Sequence, residues 1–145
     1  MYPARMDDRG RVKVPAPFKE YLEKFEDKRL FVTSLDGHIA QVYPIIFWKQ
    51  TENFLETFSE EPEAADNVAF TANDLGAETE MDGQGRILFS TELRRKLGLE
   101  DQPVHLYMFG GHIEVLSPVV YEERRRAAAE KPAADLAKLR RAGMK

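Results

Sequence analysis

Two short phrases carry the side chains of this chain best suited to chemistry. Met6-Asp7-Asp8-Arg9-Gly10-Arg11-Val12-Lys13-Val14-Pro15 and Met81-Asp82-Gly83-Gln84-Gly85-Arg86-Ile87-Leu88-Phe89-Ser90 share the pattern Asp-x-x-Gly-Arg, 75 positions apart. An arginine guanidinium is a planar fork of donors that binds a phosphate or the edge of a guanine through two hydrogen bonds. Held outward on rigid turns, Arg11 and Arg86, with Arg9 and Gln84 beside them, would offer such forks to a polyanion. The spacing equally supports a plainer role, in which Asp7 with Arg11 and Asp82 with Arg86 form ion pairs that brace two turns and, if exposed, contribute little. The two readings are compatible, because a carboxylate that fixes an arginine rotamer also preorganises it. The first copy is the more basic, with Arg5, Arg9, Arg11 and Lys13 around Asp7 and Asp8.

No other constellation competes with these. The chain has no cysteine, which excludes disulfides, thiol catalysis and Cys-based zinc sites. No Ser-His-Asp order, Gly-rich phosphate loop or paired-carboxylate spacing stands out, so the expectation is a protein that is not an enzyme and uses no cofactor. His38 and His112 follow turn glycines at equivalent positions, but two histidines fall short of the four ligands of a structural zinc. A turn or interface role is expected for both, with no metal. Phe47, Trp48, Phe54 and Phe58 read as core, and Arg124-Arg125-Arg126 as a solvated helix face.

The elements that position the two phrases follow from local pattern. Each phrase predicts a β-hairpin, from Met1 to Val14 and around Gly83 to Gly85, with Gly10 and Gly85 supplying the positive φ of a tight turn and Asp7 capping the first loop. Pro17 then opens a helix whose Phe18, Tyr21, Leu22 and Phe25 recur on one face. Leu30 to Leu35 and Ile39 to Tyr43 predict a second hairpin about Asp36-Gly37, and a helix after Pro44 follows. Glu60 to Asn67, acidic and with a proline, is the expected linker. The second copy repeats the plan, with a helix from Thr91 capped by that residue and ended at Gly98, strands at Val104 to Phe109 and Ile113 to Leu116, and a helix after Pro118 that Pro132 should break.

The correspondence extends beyond the phrases. Leu22 matches Leu97 at the same offset, and Gly37-His38-Ile39 matches Gly111-His112-Ile113 one residue short of it. A duplicated unit is implied, and each half is too small to bury a sizeable core alone, so the two should share one. The length of 145 residues suits one domain, and 43% hydrophobic composition is that of a folded chain. No apolar run reaches the length of a membrane span, and no signal-peptide pattern opens the chain. The net charge of −4 hides an asymmetry: between Gln50 and Gly85 there are ten acids and no lysine or arginine, whereas from Glu122 onward eight basic residues face four acidic ones. Any contact with a polyanion must rest on local patches.

These residues carry a resemblance. Met6 to Pro15, Ser34-Leu35-Asp36-Gly37 before Val42-Tyr43-Pro44, and Met81 to Leu88 are similar, in order and over nearly the whole chain, to the MraZ family of bacterial transcriptional regulators. The resemblance implies an α+β fold built from tandem AbrB-like β-α-β units of swapped-hairpin topology, forming a pseudo-symmetric small barrel with flanking helices. The halves would span 1–50 and 76–120, joined by 51–75 and followed by a helical tail at 121–145. It further implies a DNA-binding regulator of the division and cell-wall gene cluster, working on promoter direct repeats of double-stranded DNA as a ring-shaped homo-oligomer, in the bacterial cytoplasm at the nucleoid and away from membranes. The family's DNA-contacting arginines fall on Arg11 and Arg86, with Arg9 and Gln84 beside them and Arg5 nearest a basic position that precedes the first strand. Asp7, Gly10, Asp82 and Gly85 would be the structural frame. The chain departs from the family in beginning inside that first strand and in carrying Ser90 where the first copy has Pro15. A different class stays open: an antitoxin-like protein-interaction module whose basic tail wraps a partner.

Overall fold

In the computed structural model, which describes residues Met1–Lys145, each Asp-x-x-Gly-Arg phrase forms the expected tight turn. Gly10 lies at φ +82° and Gly85 at +79°, a region that glycine enters without steric penalty. The strands flanking each turn, however, do not form the local hairpins expected of them. β1 (Tyr2–Arg5) pairs with β7 (Pro103–Phe109), and β2 (Arg11–Lys13) pairs with β6 (Arg86–Leu88), both antiparallel. β5 (Ala77–Glu80) leaves the second turn in the same way, to pair with β3 (Arg29–Thr33). A single bridge, Met6 with Val12, ties the end of the first strand back to its sequence neighbour. The cause is burial: β2 and β6 each carry one inward residue, Val12 and Ile87, and the two stand directly opposite in the ribbon with 1% and 0% exposure.

The hairpins about Asp36-Gly37 and Gly110-Gly111 form as expected, joining β3 to β4 (Ala40–Pro44) and β7 to β8 (His112–Leu116). β4 and β8 then pair antiparallel, completing a sheet of order β1-β7-β8-β4-β3-β5. Exchanging the two halves of the chain returns the same order from the other edge. The sheet is open, with β1 and β5 at its edges and β2-β6 as a separate ribbon; the closed small barrel expected above does not form, because each turn carries the chain out of the sheet into the ribbon.

The helices follow their local signals with three corrections. α1 (Ala16–Glu23) and α4 (Thr91–Leu97) bury Phe18 and Leu22, and Leu93 and Leu97, at matching positions. α4 is capped by Ser90, whose Oγ accepts the N–H of Leu93 at 3.3 Å, and not by Thr91; this hydroxyl does the capping that a proline cannot. α2 (Ile45–Thr57) is followed by α3 (Pro62–Leu75), so the stretch read as a linker is mostly helix. Pro62 at its first turn and Glu63 beside it suit a helix start as well as they suit a loop. Of the aromatic group read as core, Trp48 is buried, whereas Phe54 is exposed and stacks on Phe58 at 5.0 Å. α5 (Pro118–Ala128) and α6 (Pro132–Arg141) are separated at Pro132, as expected. No helix is long and apolar enough to cross a membrane.

One cluster of 19 buried residues fills the space between the sheet, the ribbon, α1 and α4, and it draws on both halves of the chain. A smaller cluster of Tyr43, Ile45, Trp48 and Ala72 lies on the other face of the sheet, under α2 and α3. Because Ile87 stands at the ribbon centre with no exposure, Ile87→Ala should cost about 2–5 kcal/mol of unfolding free energy. Urea titration followed by circular dichroism measures it, and a loss well under 1 kcal/mol would contradict the central place given to this contact.

Candidate functional site

Each turn is organised by one carboxylate. Asp7 Oδ1 accepts the N–H groups of Arg9 and Arg11, both at 2.9 Å, while Oδ2 accepts Nε of Arg11 at 3.0 Å. Asp82 repeats this with the N–H groups of Gln84 and Arg86 at 2.9 Å and Nε of Arg86 at 2.7 Å. Backbone bonds close the loops, from Gly10 N–H to the Asp7 carbonyl and from Gly85 N–H to that of Asp82. Both carboxyls are held below the ordinary 3.8, Asp82 at about 2, first by the backbone N–H of the motif arginine and further by its side chain. A carboxylate that accepts several N–H bonds is favoured in its charged form.

The bracing role is therefore real, and it leaves the arginines usable. Only Nε of Arg11 and Arg86 is engaged by the aspartates, so the Nη edge of each fork has no partner within the chain. The two side chains are 25% and 29% exposed. Strand alternation puts Arg11 and Lys13 on one face of β2 and Arg86 and Leu88 on one face of β6, opposite the buried Val12 and Ile87. In the ribbon register Arg11 faces Leu88 and Lys13 faces Arg86, so all four side chains share the outer face. Arg11 and Arg86 are diagonal neighbours, roughly 7–8 Å apart at that spacing. Lys13 directly opposite Arg86 is a like-charge pair, which destabilises a ribbon unless an anion neutralises it.

The structure adds two basic residues that the motif reading missed. A Cβ on Gly10 would lie 2.4 Å from Cζ of Arg94, and one on Gly85 would lie 3.2 Å from Cδ of Lys19. Each turn is thus packed by a cationic side chain from the helix of the other half. Arg94 is fixed there through Nη2 to Thr91 Oγ1 at 3.0 Å. The backbone repeats the exchange, Val14 N–H reaching the Gly85 carbonyl and Phe89 N–H that of Gly10, both at 2.9 Å. The available signal was that Lys19 and Arg94 are also 75 positions apart.

Of the remaining residues singled out, Arg9 and Gln84 are exposed at matching positions of the two turns, at opposite ends of the antiparallel ribbon. Arg5 is already bonded within the chain. It ends β1 beside Pro103, and its Nη2 is bonded to the carbonyl and Oδ1 of Asp101 at 2.9 and 3.1 Å. His38 is exposed in the β3-β4 loop, whereas His112 stacks on Tyr43 at 4.5 Å with Nε2 3.6 Å from Glu114. The chain holds no group of three or more His, Asp or Glu side chains placed to bind a metal.

No family model matches the chain. Individual relatives do. It is 36% identical over 93 residues to the transcriptional regulator MraZ of Acidobacterium capsulatum and 38% identical over 94 residues to that of Koribacter versatilis, each match covering 64% of both proteins. These two matches therefore span just under two thirds of the relatives' length. The transcriptional regulator MraZ of Acidovorax sp. (strain JS42) is 31% identical over 135 residues, covering 92% of this chain and 91% of the relative.

Two outcomes are expected from the turn geometry. With a folded pKa of about 2 against 3.8, ionised Asp82 stabilises the fold above the unfolded value, and this contribution is lost as pH falls from 3.8 toward 2. Carbon NMR of the Asp82 carboxyl should give a midpoint near 2, and one near 3.8 would mean that the turn bonds are not made in solution. Gly10→Ala places a side chain at φ +82° and displaces the flexible end of Arg94, so the backbone strain should destabilise by more than about 1 kcal/mol, read as a lowered thermal midpoint. An unchanged midpoint would refute the turn geometry described.

Proposed function

Because this chain belongs to the MraZ family of transcriptional regulators, we propose that it regulates transcription by gripping double-stranded DNA with the outer face of the β2-β6 ribbon and its two turns. The observation that carries this reading is the grouping of Arg11, Lys13 and Arg86 on one surface, with both guanidinium Nη edges unpartnered and Val12 and Ile87 anchoring the ribbon from behind. A two-stranded ribbon fits the major groove of B-DNA. Asp7 and Asp82 hold each fork oriented before DNA arrives, so less rotamer entropy is lost on contact. Arg9 and Gln84 extend the contact at the turn tips, and Arg5 joins it by exchanging Asp101 for a phosphate.

The finer expectations belong to the same proposal. The exchange of strands between the halves supports tandem AbrB-like swapped-hairpin units at 1–50 and 76–120, with 51–75 as connection and 121–145 as tail. The DNA would be direct repeats upstream of the division and cell-wall gene cluster, read at the nucleoid in the cytoplasm. One protomer offers few cations, and its net charge is −4. A homo-oligomeric ring offsets this, since copies engaging spaced repeats make every contact after the first intramolecular.

The test is a mobility shift on the DNA upstream of the chain's own coding sequence. Arg11→Ala and Arg86→Ala should each weaken binding by about 1–3 kcal/mol if the lost contact is a bidentate base contact. If it is a phosphate contact, the slope of log affinity against log salt should flatten by about 0.9. Circular dichroism should show the fold retained. Undiminished affinity and an unaltered slope in both variants would remove the ribbon face from the interface.

A further inference from the structure

Exchanging the halves of the chain places Arg11 on Arg86, Val12 on Ile87 and Lys13 on Leu88 within the antiparallel ribbon. The two strands of a DNA duplex are related by the same kind of two-fold axis, so a surface of this symmetry fits the backbone equally well in two opposite orientations. The motif arginines cannot tell these orientations apart, because each half supplies one. Only outward residues that differ between the halves can. On the turns and the outer face of the ribbon these are Asp8 against Gly83, Arg9 against Gln84, and Lys13 against Leu88, and all six are exposed.

Arg9 and Gln84 are the pair equipped to discriminate bases. Their backbone N–H groups are held by Asp7 and Asp82 at 2.9 Å, whereas neither side chain is bonded within the chain. Each therefore presents free donors or acceptors from a fixed backbone. The two carry different chemistry: an arginine bonds guanine O6 and N7 through two hydrogen bonds, and a glutamine bonds adenine N6 and N7. The ribbon register extends the difference. Leu88 stands opposite Arg11 at the end of the first turn, and Lys13 opposite Arg86 at the end of the second. The first end thus joins a guanine-reading fork to a side chain that is 51% exposed and of the apolar kind that packs on a thymine methyl, while the second joins an amide to an additional cation.

We propose that Arg9 and Gln84 read two different bases, guanine and adenine, at opposite ends of the ribbon's footprint, so that one protomer recognises a site without two-fold symmetry and binds it in a single orientation. This inference rests on the ribbon face being the DNA contact proposed above, and it names the residues that give that contact its sequence preference and direction.

The experiment selects bound duplexes from a random-sequence DNA library with the full-length wild type, with Arg9→Gln and with Gln84→Arg. Circular dichroism checks that each variant is folded. Wild type should select a site whose halves differ, with guanine in one and adenine at the matching position of the other. Exchanging that guanine for adenine should weaken wild-type binding about tenfold or more, the discrimination expected of a bidentate contact. Each variant makes the two turns alike, so the selected site should become two-fold symmetric at these positions, with adenine in both halves for Arg9→Gln and guanine in both for Gln84→Arg. Variants that select the wild-type sequence, whether with reduced or with unchanged affinity, overturn the base reading and leave the ribbon face as the DNA contact. A wild-type site that is already two-fold symmetric at these positions overturns it as well. A wild type that retains no duplex overturns both this inference and the DNA contact on which it rests.

Discussion

Val12 against Ile87 is the contact on which the rest of this molecule depends. β2 and β6 have three residues each, and a two-stranded ribbon of that length has no stability of its own in water. It exists because its inner residues complete a core to which both halves contribute. Burying that inner face forces the alternate residues outward, and those are Arg11, Lys13, Arg86 and Leu88. Core and cationic surface are therefore two sides of one register, and a slip of one residue would destroy both.

The turns add orientation to this placement. Fixing an arginine side chain costs about 1.5–2 kcal/mol of rotamer freedom, a cost that the Asp-Arg bond meets during folding and not during binding. The aspartate takes only Nε and the backbone N–H groups, which leaves the other edge of each guanidinium for a ligand. Arg94 and Lys19, reaching across from the opposite halves, brace the loops and raise the positive potential beside them. Asp7 and Asp82 offset part of this potential while organising their own loops through hydrogen bonds.

Charge is sorted along the chain with the same economy. The ribbon and the tail are basic, whereas α2 and α3 carry five acids against one lysine. A molecule of net charge −4 would repel a polyanion if its charges were evenly mixed. Separation leaves the ribbon face able to attract a polyanion in spite of that total, an attraction that weakens as salt screens it.

Much of this was legible in the residues themselves. The Asp-x-x-Gly-Arg turns, the positive φ of Gly10 and Gly85, the Asp36-Gly37 hairpin, the break at Pro132 and the repeat at 75 positions all rest on interactions within a few residues or on direct comparison of the two copies. Such interactions are dictated by local chemistry whatever the rest of the chain does. The strands beyond each turn were misassigned, because a turn specifies the chain reversal and not the partner, and the partners of β1 and β2 were chosen by where Val12 and Ile87 could be buried. The same limit hid Lys19 and Arg94, whose closeness to the turns exists only once the halves interlock, and concealed that Phe54 faces solvent while Trp48 does not. Local hydrogen bonding and conformational preference belong to the sequence; which apolar faces meet across 75 residues is decided by the packing of the whole.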